Sequence, residues 1–181
     1  MIHDLNWQGP FAFRSGRDPL IMGDTRADVP GIYLWVVPVR NRSLPYYVGE
    51  SGKSIAFRHY DHFREYASGK YTVRDGRKLA AGEIDEVNKG VFWAKDGWRN
   101  TQKFIDNFAE YAQHLEVYLD SIKIYLAPLD ADRRTRRVIE GTLIRHIYSL
   151  AGAVAAVGQI RCFSGCEVEQ ADSWTHPHVP E

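Results

Sequence analysis

The chain has 181 residues, 44% hydrophobic and 25% charged, a balance that excludes a disordered or collagen-like polymer and gives one domain enough apolar material for a core. Its 23 basic and 23 acidic residues cancel, so a nucleic-acid partner would have to be met by positive charge gathered locally. No apolar run approaches the roughly 20 residues that span a bilayer, and the start, MIHDLNWQGPF, has neither a basic nor an apolar signal region; the expectation is a cytoplasmic chain with no membrane partner.

In chain order, GIYLWVVPV at 31–39 is β-branched and aromatic, follows Pro30, and reads as a strand. PYYVG at 45–49 reads as a second, and the short connection between Val39 and Arg42 predicts an antiparallel hairpin. Setting Tyr33 opposite Tyr47 centres the turn near Arg40 and puts both rings on one face of the sheet. After GESGKS comes IAFRHYDHFREYASG, with Ala56, Tyr60, Phe63 and Ala67 at helical spacing and Gly69 as a stop. Arg58 and His62 are one turn apart, on a face distinct from that stripe.

Residues 70–119 read as an insertion. Its first half is turn-rich and expected to be irregular, with Phe92, Trp93 and Trp98 as a small satellite core. Its second half, TQKFIDNFAEYAQHLEVYL, places Phe104, Phe108, Tyr111 and Leu115 on one helical stripe. SIKIYLAPL then gives a third strand, and a helix follows over RRTRRVIEGTLIRHIYSLAG, capped by Asp130 or Asp132 and ended by Gly152. The fold class predicted is α+β: a small antiparallel sheet of about three strands flanked by helices, with an inserted helical lobe. Residues 1–165 form a single domain in this reading, and 166–181 a tail.

GIY at 31–33, YVG at 47–49, Arg58 and His62 on one helix and Glu140 on another, in this order, resemble the GIY-YIG nuclease family. The resemblance covers roughly residues 30–68 and 120–165 and implies a nuclease-like fold and a metal-dependent DNA endonuclease that hydrolyses phosphodiesters with Mg2+ or Mn2+ and no small-molecule cofactor. Tyr33 matches the tyrosine associated with activating water, and Tyr47 the one that orients that network. A free phenol has a pKa near 10, so a base role at neutral pH needs positive neighbours or a relay. Arg58 matches the helix arginine, whose fork of donors suits a phosphate. His62, one turn later, fits a proton-handling role, since the ordinary histidine pKa lies near working pH. Glu140 matches the metal-binding glutamate, and its helix face is shared with Leu143, Ile144 and Ile147, where an unpaired carboxylate is costly unless a cation joins it.

Two positions depart from the family pattern. Val48 stands where isoleucine is commonest, and no asparagine follows the glutamate helix, Gln159 being the nearest amide. Around the implied site, Lys53 adds charge, and the RRTRR run supplies Arg133, Arg134 and Arg137 as phosphate contacts. Competing readings are a solvated face for Arg58 and His62, an ion pair of Glu140 with Arg136 or Arg137, and a zinc site from Cys162, Cys166, His176 and His178 in a spacing that matches no standard pattern. For the whole chain the alternatives are a non-catalytic nucleic-acid-binding module and a partner-binding protein with a chance motif. Cutting both DNA strands would take a homodimer or two successive encounters.

Overall fold

The computed structural model describes residues 4–14, 16–39, 42–90 and 98–150. Phe92, Trp93, Gln159, Cys162, Cys166, His176, His178 and Gly152 lie outside the described residues.

The strands are β1 (Gln8–Phe11), β2 (Gly31–Val39), β3 (Arg42–Ser51) and, late in the chain, β6 (Lys123–Pro128); they form an antiparallel sheet in the order β1-β6-β2-β3. The architecture is α+β, as expected, and this sheet has one strand more than the sequence indicates. The additional strand is β1, a four-residue edge element containing Gly9 and Pro10, too short and too irregular to show a period-two pattern. β2 lies inside the sheet and is buried from Gly31 to Val37 because both faces are covered. Tyr33, Trp35 and Val37 point to one core; Ile32, Leu34 and Val36 point to the other.

On the first face lies α1 (Ile55–Ala67). Ser54 caps it by accepting from the Phe57 amide at 3.1 Å, and Gly69, at φ +70°, ends it in the left-handed turn a glycine tolerates. Its orientation differs from the expected one. The inward stripe is Ile55, His59, His62 and Tyr66, whereas Phe57, Tyr60 and Phe63 are exposed, at 58%, 48% and 38%. Both stripes repeat at helical spacing. The polar one wins because its side chains find hydrogen bonds inside, which greatly reduces the cost of burying them.

The described residues of the insertion share this core. They contain β4 (Val73–Arg74), α2 (Gly76–Ala81), β5 (Glu86–Asn88), α3 (Arg99–Asp106) and α4 (Phe108–Asp120), with β4 and β5 paired as a small sheet. The predicted single helix breaks at Asn107, which leaves Phe108 51% exposed, while Tyr111, Leu115, Tyr118 and Leu119 of α4 enter the cluster that holds Tyr33 and Trp35. Trp98, expected in a satellite core, is 74% exposed beneath the Arg99 guanidinium.

On the opposite face, α5 (Arg133–Leu150) lays Ile139, Leu143, Ile144 and Ile147 on Ile32, Leu34, Val36 and Val48. Asp132 is the acid that caps it, accepting from the Thr135 amide at 2.9 Å and from the Thr135 hydroxyl at 2.8 Å. No helix among the described residues is long and apolar enough to cross a membrane.

Candidate active site

The hairpin register decides which side chains meet. From Val39 opposite Arg42 to Val36 opposite Pro45 the pairing is regular; β3 then carries one extra residue, Tyr46, so that Trp35 faces Tyr47 and Tyr33 faces Gly49. Tyr33 and Tyr47 are therefore diagonal neighbours instead of the directly opposed pair expected from the sequence. Without the bulge, Tyr47 would stand opposite Leu34 and point towards α5, because one residue of slip exchanges the two faces of a strand. With it, the Tyr33 and Tyr47 rings share a face with centroids 6.0 Å apart. The glycines of the two motifs make room in the sheet. A side chain at Gly49 would collide with the Tyr33 phenol lying across it, and one at Gly31 with the Ala127 carbonyl of β6.

α1 brings in the histidines. Tyr33 Oη and His62 Nε2 are 2.7 Å apart, a hydrogen bond that either neutral group can donate. Burial first, then the charge of Arg58, holds the His62 pKa well below its ordinary value, so the ring is neutral at physiological pH. Its buried Nδ1 has no hydrogen-bond partner among the described residues. His59, a turn earlier, is a different kind of residue. Its Nδ1 bonds the Ile55 carbonyl at 2.8 Å, a contact only an N–H can make, and its Nε2 accepts from Trp35 Nε1 at 2.9 Å. That fixes one neutral tautomer, and burial depresses its pKa to about 4.

The phenols are neutral too. Burial pushes Tyr33 well above the usual tyrosine value, the Tyr47 phenol adding to the effect and the Arg58 guanidinium opposing it. Tyr47 is raised by burial, with Arg58 again in opposition and the Glu140 carboxylate reinforcing. Arg58 is thus the cation beside both hydroxyls, and its charge opposes the rise of each. Tyr71, which opens the insertion, packs edge-on against Tyr66 and lies over His62 at 6.0 Å; burial raises its pKa and nearby Arg58 opposes the rise.

Glu140 arrives from α5. Its carboxyl has a pKa of about 7, raised by burial and by the neighbouring Glu50, and opposed by Arg137 and Arg58. Glu50 accepts from Arg136 Nε at 3.0 Å, so the RRTRR run is not one exposed patch: Arg136 is buried, while Arg133, Arg134 and Arg137 are exposed, as is Lys53. Glu140 lies within the electrostatic reach of Arg137 but takes no part in an ion pair with Arg136, whose partner is Glu50.

Tyr33, Tyr47, Arg58, His62 and Glu140 therefore converge where the end of β3 meets α1 and α5. Sequence reasoning missed His59, Tyr71, Glu50 and Arg136. A signal for His59 was present, since Ile55, His59, His62 and Tyr66 also repeat at helical spacing. No protein-family model matches the chain, and neither the curated proteins nor the solved structures contain a match.

Proposed function

We propose that the chain is a metal-dependent DNA endonuclease of the GIY-YIG type that hydrolyses phosphodiester bonds. The observation that carries this reading is the hydrogen-bonded Tyr33 and His62 pair standing beside Tyr47, the Arg58 cation and a carboxylate that resists ionisation. Phosphodiester hydrolysis needs an acceptor for a proton from water, a cation at the phosphoryl oxygens and a fixed geometry. Each is represented among these side chains.

A phenol with a raised pKa is a poor free base, but Tyr33 need not ionise. As its oxygen takes a proton from the attacking water, its own proton passes to the Nε2 lone pair of neutral His62, so no free phenolate forms. His62 keeps that proton only transiently, because burial and Arg58 disfavour the imidazolium. Arg58 presents two parallel donors to the phosphoryl oxygens. Tyr47, packed on Trp35 with centroids 4.9 Å apart, holds the Tyr33 ring in place.

The residues fit a divalent ion. Among the described residues no group of three or more His, Cys, Asp or Glu side chains is arranged to hold one, yet Glu140 is a carboxylate strained by burial and by Glu50, which a cation would relieve. Mg2+ binds through one or two carboxylates completed by substrate phosphates, and when bound it neutralises charge on the reacting phosphoryl group. Glu140 would hold it. Exposed Lys53, Arg133 and Arg137, with Arg134 alongside, would take the flanking phosphates of a chain whose net charge is zero.

Plasmid nicking with Mg2+ or Mn2+ tests this. Glu140→Ala should abolish it while metal-free DNA binding persists. Tyr33→Phe should lower the single-turnover rate by roughly a hundredfold and stability by at most about 1 kcal/mol, since it removes one oxygen and leaves the ring. Wild-type rates in both folded variants would reject the reading, and salt-sensitive binding with no cutting by the wild type would favour the non-catalytic binding module.

A further inference from the structure

The site draws its parts from both sides of the sheet. Tyr33, Tyr47, Arg58 and His62 belong to the side covered by α1, whereas Glu140 belongs to α5 on the other. The apolar contacts of α5 with β2 and β3 hold the helix down, but burial of apolar surface is non-directional. A polar link supplies what they lack. Arg136 lies one turn before Glu140; its Nε donates to Glu50 Oε2 at 3.0 Å, and its guanidinium also donates to the Ala131 carbonyl. Glu50 follows the YVG motif directly, and its charge acts on the Glu140 carboxyl. Gly52 completes the seat, because a side chain there would come within 2.6 Å of Arg136 Nη2.

The Arg136 side chain is 8% exposed and that of Glu50 17%. A buried ion pair is weak support for stability, and fixing register is its best-attested use. The position of Arg136 also argues against a DNA contact: it belongs to the most basic stretch of the chain, yet its guanidinium is turned inward.

We propose that the Arg136 and Glu50 clasp, seated against Gly52, sets the distance of Glu140 from Tyr47 and Arg58, so that Arg136 is a positioning residue for metal binding. The inference rests on the nuclease reading of the same site. Two variants test it. Glu50→Gln with Arg136→Met removes both charges and leaves the net charge unchanged, and Gly52→Ala displaces the guanidinium with no change of charge. Each is compared with the wild type for Mn2+ uptake by the DNA-free protein, followed by electron paramagnetic resonance, for single-turnover cleavage across a Mn2+ series, for metal-free DNA affinity and for melting temperature. Mn2+ affinity and the cleavage rate at saturating Mn2+ should each fall about tenfold in the double variant, the usual cost of losing an outer support of a metal ligand, and less in Gly52→Ala. Metal-free DNA affinity should stay within about twofold, since neither charge faces the DNA. A double variant that melts earlier but takes up Mn2+ and cuts like the wild type overturns the inference alone. A tenfold loss of metal-free DNA affinity overturns it too, in favour of direct contact. A wild-type chain that neither takes up Mn2+ nor cuts overturns the nuclease reading, and the inference with it.

Discussion

Burial and the neighbouring Glu50 hold the Glu140 carboxyl at a pKa of about 7, so at neutral pH it only half ionises where an ordinary glutamate would be fully charged. In the unfolded chain the group returns to 4.5, so between these values the folded protein keeps a proton that the unfolded chain has lost. The stability this group contributes is fully present below 4.5 and is lost as pH rises through 7. Glu140→Gln cannot ionise, and in the absence of metal it should be more stable than the wild type at pH 8.5 by about 2 kcal/mol, after discounting for partial exposure. Below pH 4.5 the advantage should vanish. Urea unfolding with chelator at the two pH values checks this, and a Gln variant that is less stable at pH 8.5 would show an unstrained carboxylate. At this scale the order of short motifs singles out Tyr33, Tyr47, Arg58, His62 and Glu140, and the fold brings these five side chains together. The sequence hides Glu50, whose role arises only from Arg136, distant in the chain and adjacent in the fold, and it carries His59 only on a stripe that competes with a more apolar one.

Among the elements, α1 and β3 show how a correct assignment of type leaves orientation open. The period of α1 is readable, but two stripes compete at that period, and hydrophobicity alone selects the one with Tyr60 and Phe63 that the structure leaves outside. Hydrogen bonds to Trp35, Tyr33 and Tyr118 reverse the choice. In β3 the hairpin is legible from its strand residues, whereas the bulge at Tyr46 is not, although Pro45 beside it is the residue an edge strand tolerates at such a place. The orientation of α1 has an acid signature. His59 has a folded pKa of about 4 against 6.5 unfolded, so the unfolded chain binds the extra proton; stability from the neutral ring is present above 6.5 and lost as pH falls through 4. His59→Gln removes the titration, so the wild type should lose about 3 kcal/mol relative to that variant between pH 7.5 and pH 3.5. Denaturation midpoints that run parallel over this range would place His59 at the surface.

For the molecule as a whole, the sheet is a middle layer between the α1 and α4 side and α5, and the site forms at the β3 edge where both coverings can be reached. Composition and strand patterns disclose the α+β class, but they present residues 70–119 as an addition to a complete domain. The structure makes the insertion part of the core. Tyr118 of α4 bonds the Tyr46 hydroxyl at 2.9 Å and the Tyr66 hydroxyl at 3.2 Å; Arg74 of β4 donates to Tyr46 at 3.0 Å; and the Tyr111 hydroxyl donates to the Tyr66 carbonyl. These bonds brace the bulge residue that turns Tyr47 onto the Tyr33 face, so the insertion supports the site from below. Such long-range pairings of phenols carry no local sequence signal, since each tyrosine alone reads as an aromatic on a helix or strand. If the insertion is integral, truncating Leu115 on α4, which is 8% exposed, should destabilise the entire domain and not the insertion alone. Leu115→Ala should cost about 3 kcal/mol in one cooperative transition, the usual penalty for a large cavity in a packed core. Hydrogen exchange of the variant should show the amides of α4 and β2 opening together, with similar losses of protection. Opening of α4 while β2 keeps its wild-type protection would mean that the insertion is a separable lobe and that Tyr47 is held by the hairpin alone.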